Sequence, residues 1–245
     1  MFGRLDGPTK YGTMAQFVTP SEKGCVPLPA GIDPDIGATL GTAACTAYQT
    51  IVGRVKAGDK IFINGGSGGT GTFAIQIGKA IGCEVTVTCS TANIDFCKKL
   101  GADKIIDYKT TDVIEALKSE GQVYSLIVDT VSTPENLYHE SASILVPSGQ
   151  FVQIGGSMNF SGIKSIWSRK LMPSFLGGGQ RPFDFMHMHN DPEHYAQLAK
   201  WVQEGKVRPV IDSVFEWEEA PKAYEKLKTG RAKGKIVVRV GPKSK

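Results

Sequence analysis

The chain has few cysteines, little net charge and no long apolar run, and each of these absences excludes a class of protein. Its five cysteines are scattered among 245 residues, at spacings typical of neither a zinc ribbon nor a disulfide-stapled domain. The net charge of +4 comes from basic residues that are spread out, so there is no nucleic-acid footprint. No segment has the length and apolarity of a membrane span, and no hydrophobic secretory segment is found at the N-terminus. We expect reduced cysteines and an intracellular protein, either cytoplasmic or organellar.

What is present is a regular alternation of strands and helices. The composition, 41% hydrophobic and 21% charged, is typical of a globular protein of one or two domains. Such alternation predicts an α/β fold with a doubly wound parallel sheet, the Rossmann type. The predicted strands are 13–18, 60–64, 84–89, 104–108, 125–130, 149–156, 207–215 and 234–240. The predicted helices lie within 35–55, between the glycine-rich turn at 65–71 and Gly82, from near Ile94 to the glycine stop at Gly101, and at 112–119, 138–145, 192–205 and 220–227.

The most informative motif is a glycine-rich turn that follows a short apolar run. Residues 60–64 read as a strand, and Gly66, Gly68 and Gly71 then form a G-x-G-x-x-G pattern where a helical segment begins. Gly66 permits a tight turn, Gly68 lets the backbone approach a pyrophosphate, and Gly71 lets the helix pack closely on the strand. The free N–H groups at the start of that helix point at the anion. The alternative is a glycine-rich loop in an unrelated α/β domain.

The end of the next strand indicates which dinucleotide binds. An NAD site places an acidic residue there, about twenty residues beyond the glycines, to hold the ribose 2′-hydroxyl. Here residues 89–93 read Cys-Ser-Thr-Ala-Asn, and the first acid is Asp95. Hydroxyl and amide groups donate hydrogen bonds to a 2′-phosphate, whereas a carboxylate repels it, and Lys98 and Lys99 add positive charge. The pattern favours NADPH over NADH, although in the alternative interpretation these residues cap the following helix.

Residues 157–190 interrupt the alternation of strands and helices. The segment is rich in glycine, methionine and aromatic residues. It is interpreted either as a pocket wall or subunit contact, or as a loop that packs its own side chains. His187 and His189 suggest a metal, but no cysteine or carboxylate is found at ligand spacing from them. We predict no metal site.

These features, taken in order, resemble the medium-chain dehydrogenase/reductase superfamily, in its zinc-free quinone-oxidoreductase and enone-reductase branch. The resemblance covers most of the chain. The segments that carry it are 11–18, 40–49 with Thr46-Ala47-Tyr48, 65–71, 100–103 with 106–108, 205–207 with 210–213, and 230–238.

The resemblance implies an activity and a set of roles. The activity is hydride transfer from NADPH to the β-carbon of a small apolar α,β-unsaturated carbonyl, or to a quinone. The carbonyl oxygen gathers negative charge in that reaction and needs a donor, but we assign no catalytic residue. Tyr48 and Thr46 are near enough to the expected nicotinamide to be tested, although Tyr48 is also interpreted as a packed helix residue. The implied cofactor contacts are Ser67, Gly68, Gly69 and Thr70 at the pyrophosphate, Ser90, Asn93 and Tyr108 at the 2′-phosphate, Thr46, Gly155 and Gly156 at the nicotinamide, and Lys235 at a phosphate.

Two departures from the family pattern affect these expectations. Thr42 stands where zinc-bearing relatives have a cysteine ligand, and there is no room before Tyr11 for a four-cysteine zinc lobe. The chain also begins late relative to the family, so we expect only 1–33 and 208–245 to represent the GroES-like substrate domain, around a Rossmann domain at 34–207. The apolar surface left exposed would favour oligomerisation, such as a homodimer.

Three hypotheses therefore remain open. The first is an NADPH-dependent reductase, as a fragment or mis-started version of a longer chain. The second is a catalytically impaired NADPH-binding protein that acts as a partner or regulator. The third is a domain excised from a larger enzyme, such as the enoyl reductase of a polyketide synthase.

Overall fold

The computed structural model describes residues 2–3, 12–155, 169 and 179–241. The strands are β1 Phe2–Gly3, β2 Cys25–Val26, β3 Lys60–Asn64, β4 Glu84–Cys89, β5 Lys104–Asp107, β6 Tyr124–Asp129, β7 Leu145–Gln153, β8 Phe183–Phe185, β9 Ile211–Glu216 and β10 Lys235–Arg239. The α-helices are α1 Pro34–Thr39, α2 Cys45–Ile51, α3 Gly69–Ile81, α4 Ile94–Lys99, α5 Val113–Lys118, α6 Leu137–Glu140, α7 Pro192–Gln203 and α8 Ala220–Lys228. Short 3₁₀ turns lie at Glu22–Gly24, Thr91–Asn93, Ser141–Ser143 and Trp217–Glu219, and a π-helical turn at Leu40–Ala44.

Contacts divide the chain into two compact units. Unit 1 comprises Met1–Gln49, Gly68–Phe73 and Met188–Lys245, and unit 2 comprises Thr50–Ser67 and Ala74–His187. The three-part division predicted from the sequence, with boundaries after residues 33 and 207, stays a prediction.

Unit 2 contains a six-stranded parallel sheet in the order β5-β4-β3-β6-β7-β8. Counted from β3 as the first strand, this is the 3-2-1-4-5-6 order of the doubly wound dinucleotide-binding fold. The predicted fold class is therefore confirmed. The middle of the central strand β3, residues 61–63, is apolar and fully buried, as expected for a parallel strand that is covered on both faces.

The hydrophobic core of unit 2 is continuous beneath the central strands. It contains aromatic residues in edge contact, among them Tyr138 with its ring centroid 5.2 Å from that of Phe151. The buried members of this core are Phe62, Ile106, Val113, Ile114, Leu117, Tyr124, Ile127, Leu137, Tyr138, Ile144, Leu145 and Phe151. This packing holds the strands in place, and the polar residues of the site lie at the carboxyl ends of those strands.

Glycines set the geometry where β3 leads into α3, and not only at the positions that the motif suggests; the roles of Gly68 and Gly71 stay predictions. The positive φ of +100° belongs to Gly65, so Gly65 rather than Gly66 makes the tight turn. A Cβ on Gly66 would lie 2.9 Å from the Cβ of Val87. A Cβ on Gly78, two turns into α3, would lie 2.7 Å from Ile61 Cδ1, so close packing of the helix on the sheet depends on Gly78.

Unit 1 is built from helices with clear start signals and from one parallel strand pair. Asp33 caps α1 by accepting a hydrogen bond from the Asp35 backbone N–H, and Asp191 caps α7 in the same way. Strands β9 and β10 pair in parallel. The Asp35 carboxylate forms an ion pair with Arg239 in β10, with 2.6 Å between Oδ2 and Nη2. The buried hydrophobic residues of this unit include Leu40, Ala43, Ala44, Cys45, Ala47, Tyr195, Leu198, Ala199, Val207, Ala223 and Val237.

Some predicted elements were wrong. Residues 13–16 form bends and residues 17–18 have no regular structure, and Phe17 is 90% exposed, so this segment is not a strand packed on a core. Strand β8 was not predicted because it is three residues long within an irregular aromatic segment. The helix predicted at 138–145 ends earlier, since Leu145 already begins β7.

All five cysteines are free in the structure, and their reduced state in the cell stays a prediction. Burial raises the pKa of Cys97 to about 12 and that of Cys83 to about 11. Both are therefore protonated, structural thiols at neutral pH. In the described ranges, no helix combines the length and apolarity needed to cross a bilayer.

The contact at Gly78 predicts a specific loss of stability. Gly78→Val places methyl groups against Ile61 and Val85, and overpacking of this kind costs about 1–3 kcal/mol of unfolding free energy. The measurement is urea unfolding followed by circular dichroism. Ala80→Val on the same helix is the control: it introduces valine without that contact, and helix propensity alone makes it costlier than Gly78→Val, so a larger loss in Gly78→Val is due to packing. Equal stability of the two variants would contradict the packing role of Gly78.

Candidate cofactor site

A belt of buried polar side chains runs across the carboxyl ends of the central strands in unit 2. Asn64, at the end of β3, accepts a hydrogen bond from Thr88 Oγ1 at 2.7 Å and donates to Asp129 Oδ1 at 2.9 Å. Its second amide hydrogen goes to the Thr133 carbonyl at 2.8 Å. Asn64, Thr88 and Asp129 are each at most 3% exposed. Every hydrogen-bonding group of the Asn64 amide is therefore used inside the protein.

The belt holds the glycine turn on one side. The Gly65 N–H donates to Thr88 Oγ1 at 2.8 Å, and the Gly66 N–H donates to the Thr88 carbonyl at 2.9 Å. Thr88 thus links β4 to the start of the turn through both its side chain and its backbone. The turn of the G-x-G-x-x-G motif is positioned by a neighbouring strand as well as by its own glycines.

On the other side, the belt holds the loop that follows β6. Asp129 Oδ1 accepts from the backbone N–H groups of Val131 and Ser132, at 3.1 and 2.8 Å. Ser132 takes a left-handed conformation with φ of 62°, and its Oγ accepts from Gln153 at the end of β7. The four adjacent strand ends of β4, β3, β6 and β7 are thereby connected. Ligands of open α/β sheets bind at this edge.

At the loop after β4, the structure brings predicted residues together. Asn93 Nδ2 donates to Ser67 Oγ at 3.1 Å, which joins the loop to the glycine turn and leaves the Ser67 proton available to another acceptor. Neither Ser90 nor Asn93 makes a side-chain capping hydrogen bond. The capping interpretation therefore does not account for these side chains. Tyr108 lies at the end of the adjacent strand and is 51% exposed.

Asp107 is a neighbour that sequence reasoning missed. The prediction that the adenosine end of the cofactor site has no acidic residue considered only the residues that follow β4. In the structure, Asp107 at the end of β5 accepts a hydrogen bond from Thr91 Oγ1 at 2.5 Å. Sequence reasoning could have found Asp107 only by pairing the two predicted strands β4 and β5. In the structure they are adjacent and parallel, and Asp107 is opposite Cys89.

In unit 1, the start of α3 lies against Lys235 in β10. A Cβ on Gly69 would lie 3.3 Å from Lys235 Cδ and 3.8 Å from its Nζ. Burial lowers the pKa of Lys235 below the ordinary lysine value. Within the described part of the chain, the ammonium of Lys235 forms no ion pair. A desolvated cation thus lies beside the helix N-terminus at which the motif predicts an anion.

The same unit contains a cavity of about 730 Å³. Its walls are largely apolar, with Met14, Val18, Tyr224 and Leu227 among the lining residues, and with Lys235 as a cationic group. A volume of this size lies within the range of small-molecule sites. The combination suits a ligand that has both an apolar body and a negative charge.

The residues expected near the nicotinamide have mixed environments. Thr46 is buried in α2. Tyr48 packs between rings, with centroids 4.8 Å from His194 and 5.6 Å from Trp201, in agreement with its interpretation as a packed helix residue. Gly155 is exposed with φ of +71°, and Gly156 lies outside the described residues. The assigned roles of these residues stay predictions.

The statement that no carboxylate lies at ligand spacing from the histidines was wrong. His189, Asp191 and His194 have potential ligand atoms within 4.8 Å of one another. However, Gln49 is oriented by two hydrogen bonds to the His189 backbone, so that its Nε2 donates to His194 Nδ1 at 3.0 Å. His194 then carries its proton on Nε2, which faces Asp191 Oδ2 at 3.5 Å. Gln49 thus occupies one ring nitrogen of His194, and the absence of a metal site stays a prediction.

Comparison with known proteins places this geometry in a family. The family model described as zinc-binding dehydrogenase matches residues 100–238. The trans-enoyl reductase pgmF of Aspergillus terreus is 48% identical over 98% of this chain and 68% of its own length. A human mitochondrial NAD(P)H oxidoreductase is 33% identical over 95% of this chain and 62% of its own. The structure of a quinone oxidoreductase from Coxiella burnetii has a TM-score of 0.76 at 28% identity, over 92% of this chain and 66% of its own.

The chain thus spans about two-thirds of the length of these relatives. The family match, which extends over more than half of the chain, agrees with the strand order of unit 2 and with the glycine turn. The chain belongs to the zinc-binding dehydrogenase family, within the enoyl and quinone reductase branch of the medium-chain dehydrogenase/reductase superfamily.

Proposed function

We propose that this chain belongs to an NADPH-dependent, zinc-independent reductase that transfers a hydride to the β-carbon of an apolar α,β-unsaturated carbonyl. A quinone is the second substrate class. The enoyl class is supported by the 48% identity to a protein named trans-enoyl reductase, and the quinone class by the likeness to a quinone oxidoreductase. Since the chain matches about two-thirds of these proteins, the substrate of the whole protein is part of the proposal.

The observation that carries the proposal is the environment of Lys235. Keeping a charged amine in a half-buried position without a counter-charge costs free energy. The cost is offset when an anion binds beside it, and Gly69 leaves room for backbone N–H groups to contact that anion. A dinucleotide pyrophosphate has the required charge. Lys235 with Gly68, Gly69 and Thr70 would hold it.

The adenosine end is assigned to the loop after β4 and its neighbours. Asn93 donates to Ser67 and so joins this loop to the turn that would hold the pyrophosphate. Ser90 makes no capping bond, and Lys98 and Lys99 are exposed nearby on α4. These donors and charges support a 2′-phosphate and hence NADPH.

Bound NADPH would supply the hydride, and the chain would contribute binding, orientation and exclusion of water. The belt centred on Asn64 fixes the turn and the loop after β6 at the ligand-binding edge of the sheet. The apolar walls of the cavity in unit 1 favour a substrate that is poorly hydrated. Exclusion of water strengthens electrostatic interactions with the carbonyl oxygen as it gains charge.

Nucleotide binding is the first test of this function. We expect NADPH to raise the melting temperature more than NADH does at equal concentration, because a ligand that binds only the folded state stabilises it. Consumption of NADPH with an added enone or quinone is then followed by absorbance. Binding without turnover would support a catalytically impaired protein instead, and stabilisation by neither nucleotide would contradict the cofactor site.

Replacement of Lys235 separates binding from stability. In Lys235→Met, the unliganded protein should gain about 1 kcal/mol of unfolding free energy while its NADPH affinity falls about tenfold, because the charge assists binding and opposes folding. The wild type binds fewer protons when folded than when unfolded, so its stability should rise with pH toward the ordinary lysine pKa, and the variant should lose this rise.

Lys233→Met is the matched control for this experiment, because Lys233 is an exposed lysine two residues away. This substitution should change the unfolding free energy by less than about 0.5 kcal/mol, and it should leave the NADPH affinity unchanged. Equal NADPH affinity in Lys235→Met and the wild type would remove Lys235 from the site.

A further inference from the structure

Asp107 is brought to the loop after β4 by strand pairing. The strands β4 and β5 run parallel, with Cys89 opposite Asp107, and the Tyr108 N–H donates to the Cys89 carbonyl at 3.2 Å. The Asp107 side chain therefore projects from the same sheet edge as residues 90–93. Its Oδ2 accepts from Thr91 Oγ1 at 2.5 Å.

The hydrogen bond between these two residues has a fixed direction. A hydroxyl has one proton, and Thr91 donates it to Asp107, so the remaining capacity of Thr91 Oγ1 is as an acceptor. A phosphate monoester near neutral pH presents mainly acceptors. Thr91 in this state cannot donate to a 2′-phosphate, whereas it can accept from a ribose 2′-hydroxyl.

The negative charge of Asp107 also disfavours the binding of a 2′-phosphate. Hydrogen bonds from the Thr91 hydroxyl and then from the Lys109 backbone N–H lower the pKa of this carboxyl, so it is ionised at neutral pH. The Lys109 N–H lies 2.9 Å from Asp107 Oδ1. An ionised carboxylate repels the phosphate, which carries about −1.5 to −2 charges.

We propose that Asp107 and Thr91 together limit the preference of this protein for NADPH over NADH. They oppose the 2′-phosphate that Ser90, Asn93 and the lysines of α4 would attract. The inference rests on the proposed function, because it concerns the adenosine end of the same cofactor site. It assigns a specificity-determining role to a residue that lies outside both the glycine motif and the loop after β4.

Asp107→Asn tests the pair with little change in shape. The new amide keeps an oxygen for the Lys109 N–H and turns an N–H toward Thr91, so that the Thr91 proton becomes free to donate to the phosphate. Dissociation constants for NADPH and NADH are measured by fluorescence titration at one ionic strength. The ratio of NADPH to NADH affinity should rise about fivefold to tenfold, from the lost repulsion and the new donor together.

Two further variants separate charge from hydrogen-bond direction. Glu84→Gln removes one negative charge at the opposite end of β4, where Glu84 pairs with Lys60, and should leave the ratio within about twofold of the wild type. Thr91→Val removes the outward acceptor and should itself raise the ratio. In the Thr91→Val background, Asp107→Asn should give a smaller further rise, because only the charge changes.

The outcomes distinguish the inference from the proposed function. If neither nucleotide binds the wild type, the cofactor site itself is wrong. If both bind and neither Asp107→Asn nor Thr91→Val changes the ratio, the role of this pair is structural and the inference is overturned. Should Asp107→Asn fail to fold, as judged by circular dichroism, Thr91→Val alone decides the matter by the same ratio.

Discussion

The side-chain amide of Asn64 is the interaction on which the ligand-binding edge of unit 2 depends. It is 3% exposed, and it joins Thr88, Asp129 and the loop after β6 through three hydrogen bonds. Loss of one partner would leave buried polar groups unpaired, which costs more than the bond itself contributes. This network also positions the glycine turn, the left-handed Ser132 and the end of β7. The loops at this edge are therefore held in one conformation by hydrogen bonds.

Parallel pairing explains why the charges of the site come from distant parts of the sequence. Each strand places its last residue at the same edge, so Asp107 lies beside Thr91 although they are sixteen residues apart. In unit 1, Lys235 at the start of β10 lies against the first turn of α3, although the two are far apart in the sequence. Under the proposed function Asp107 opposes a 2′-phosphate, so the selectivity at this edge of unit 2 depends on a neighbouring strand as well as on the glycine motif.

The elements predicted best from sequence are those specified locally. Strand β4 was predicted with its observed bounds, because its β-branched residues are buried in succession, and α3 followed from the glycine turn and the stop at Gly82. The strand predicted at 13–18 failed because apolar composition does not show whether a core exists to receive it. Asp107 and the belt partners of Asn64 were missed for a related reason. Their proximity is created by strand register, which no single segment encodes.

The ion pair between Asp35 and Arg239 has a consequence for the order of folding. It joins side chains 204 residues apart, within a unit assembled from three separate segments of the chain. Unit 2 is formed from residues within 50–187 and can begin to fold during synthesis, whereas unit 1 is complete only after β10 has emerged from the ribosome. Until then unit 1 lacks the ion pair with Arg239 and the buried Val237. A premature stop near the C-terminus would therefore leave a folded sheet attached to a chain segment prone to aggregation.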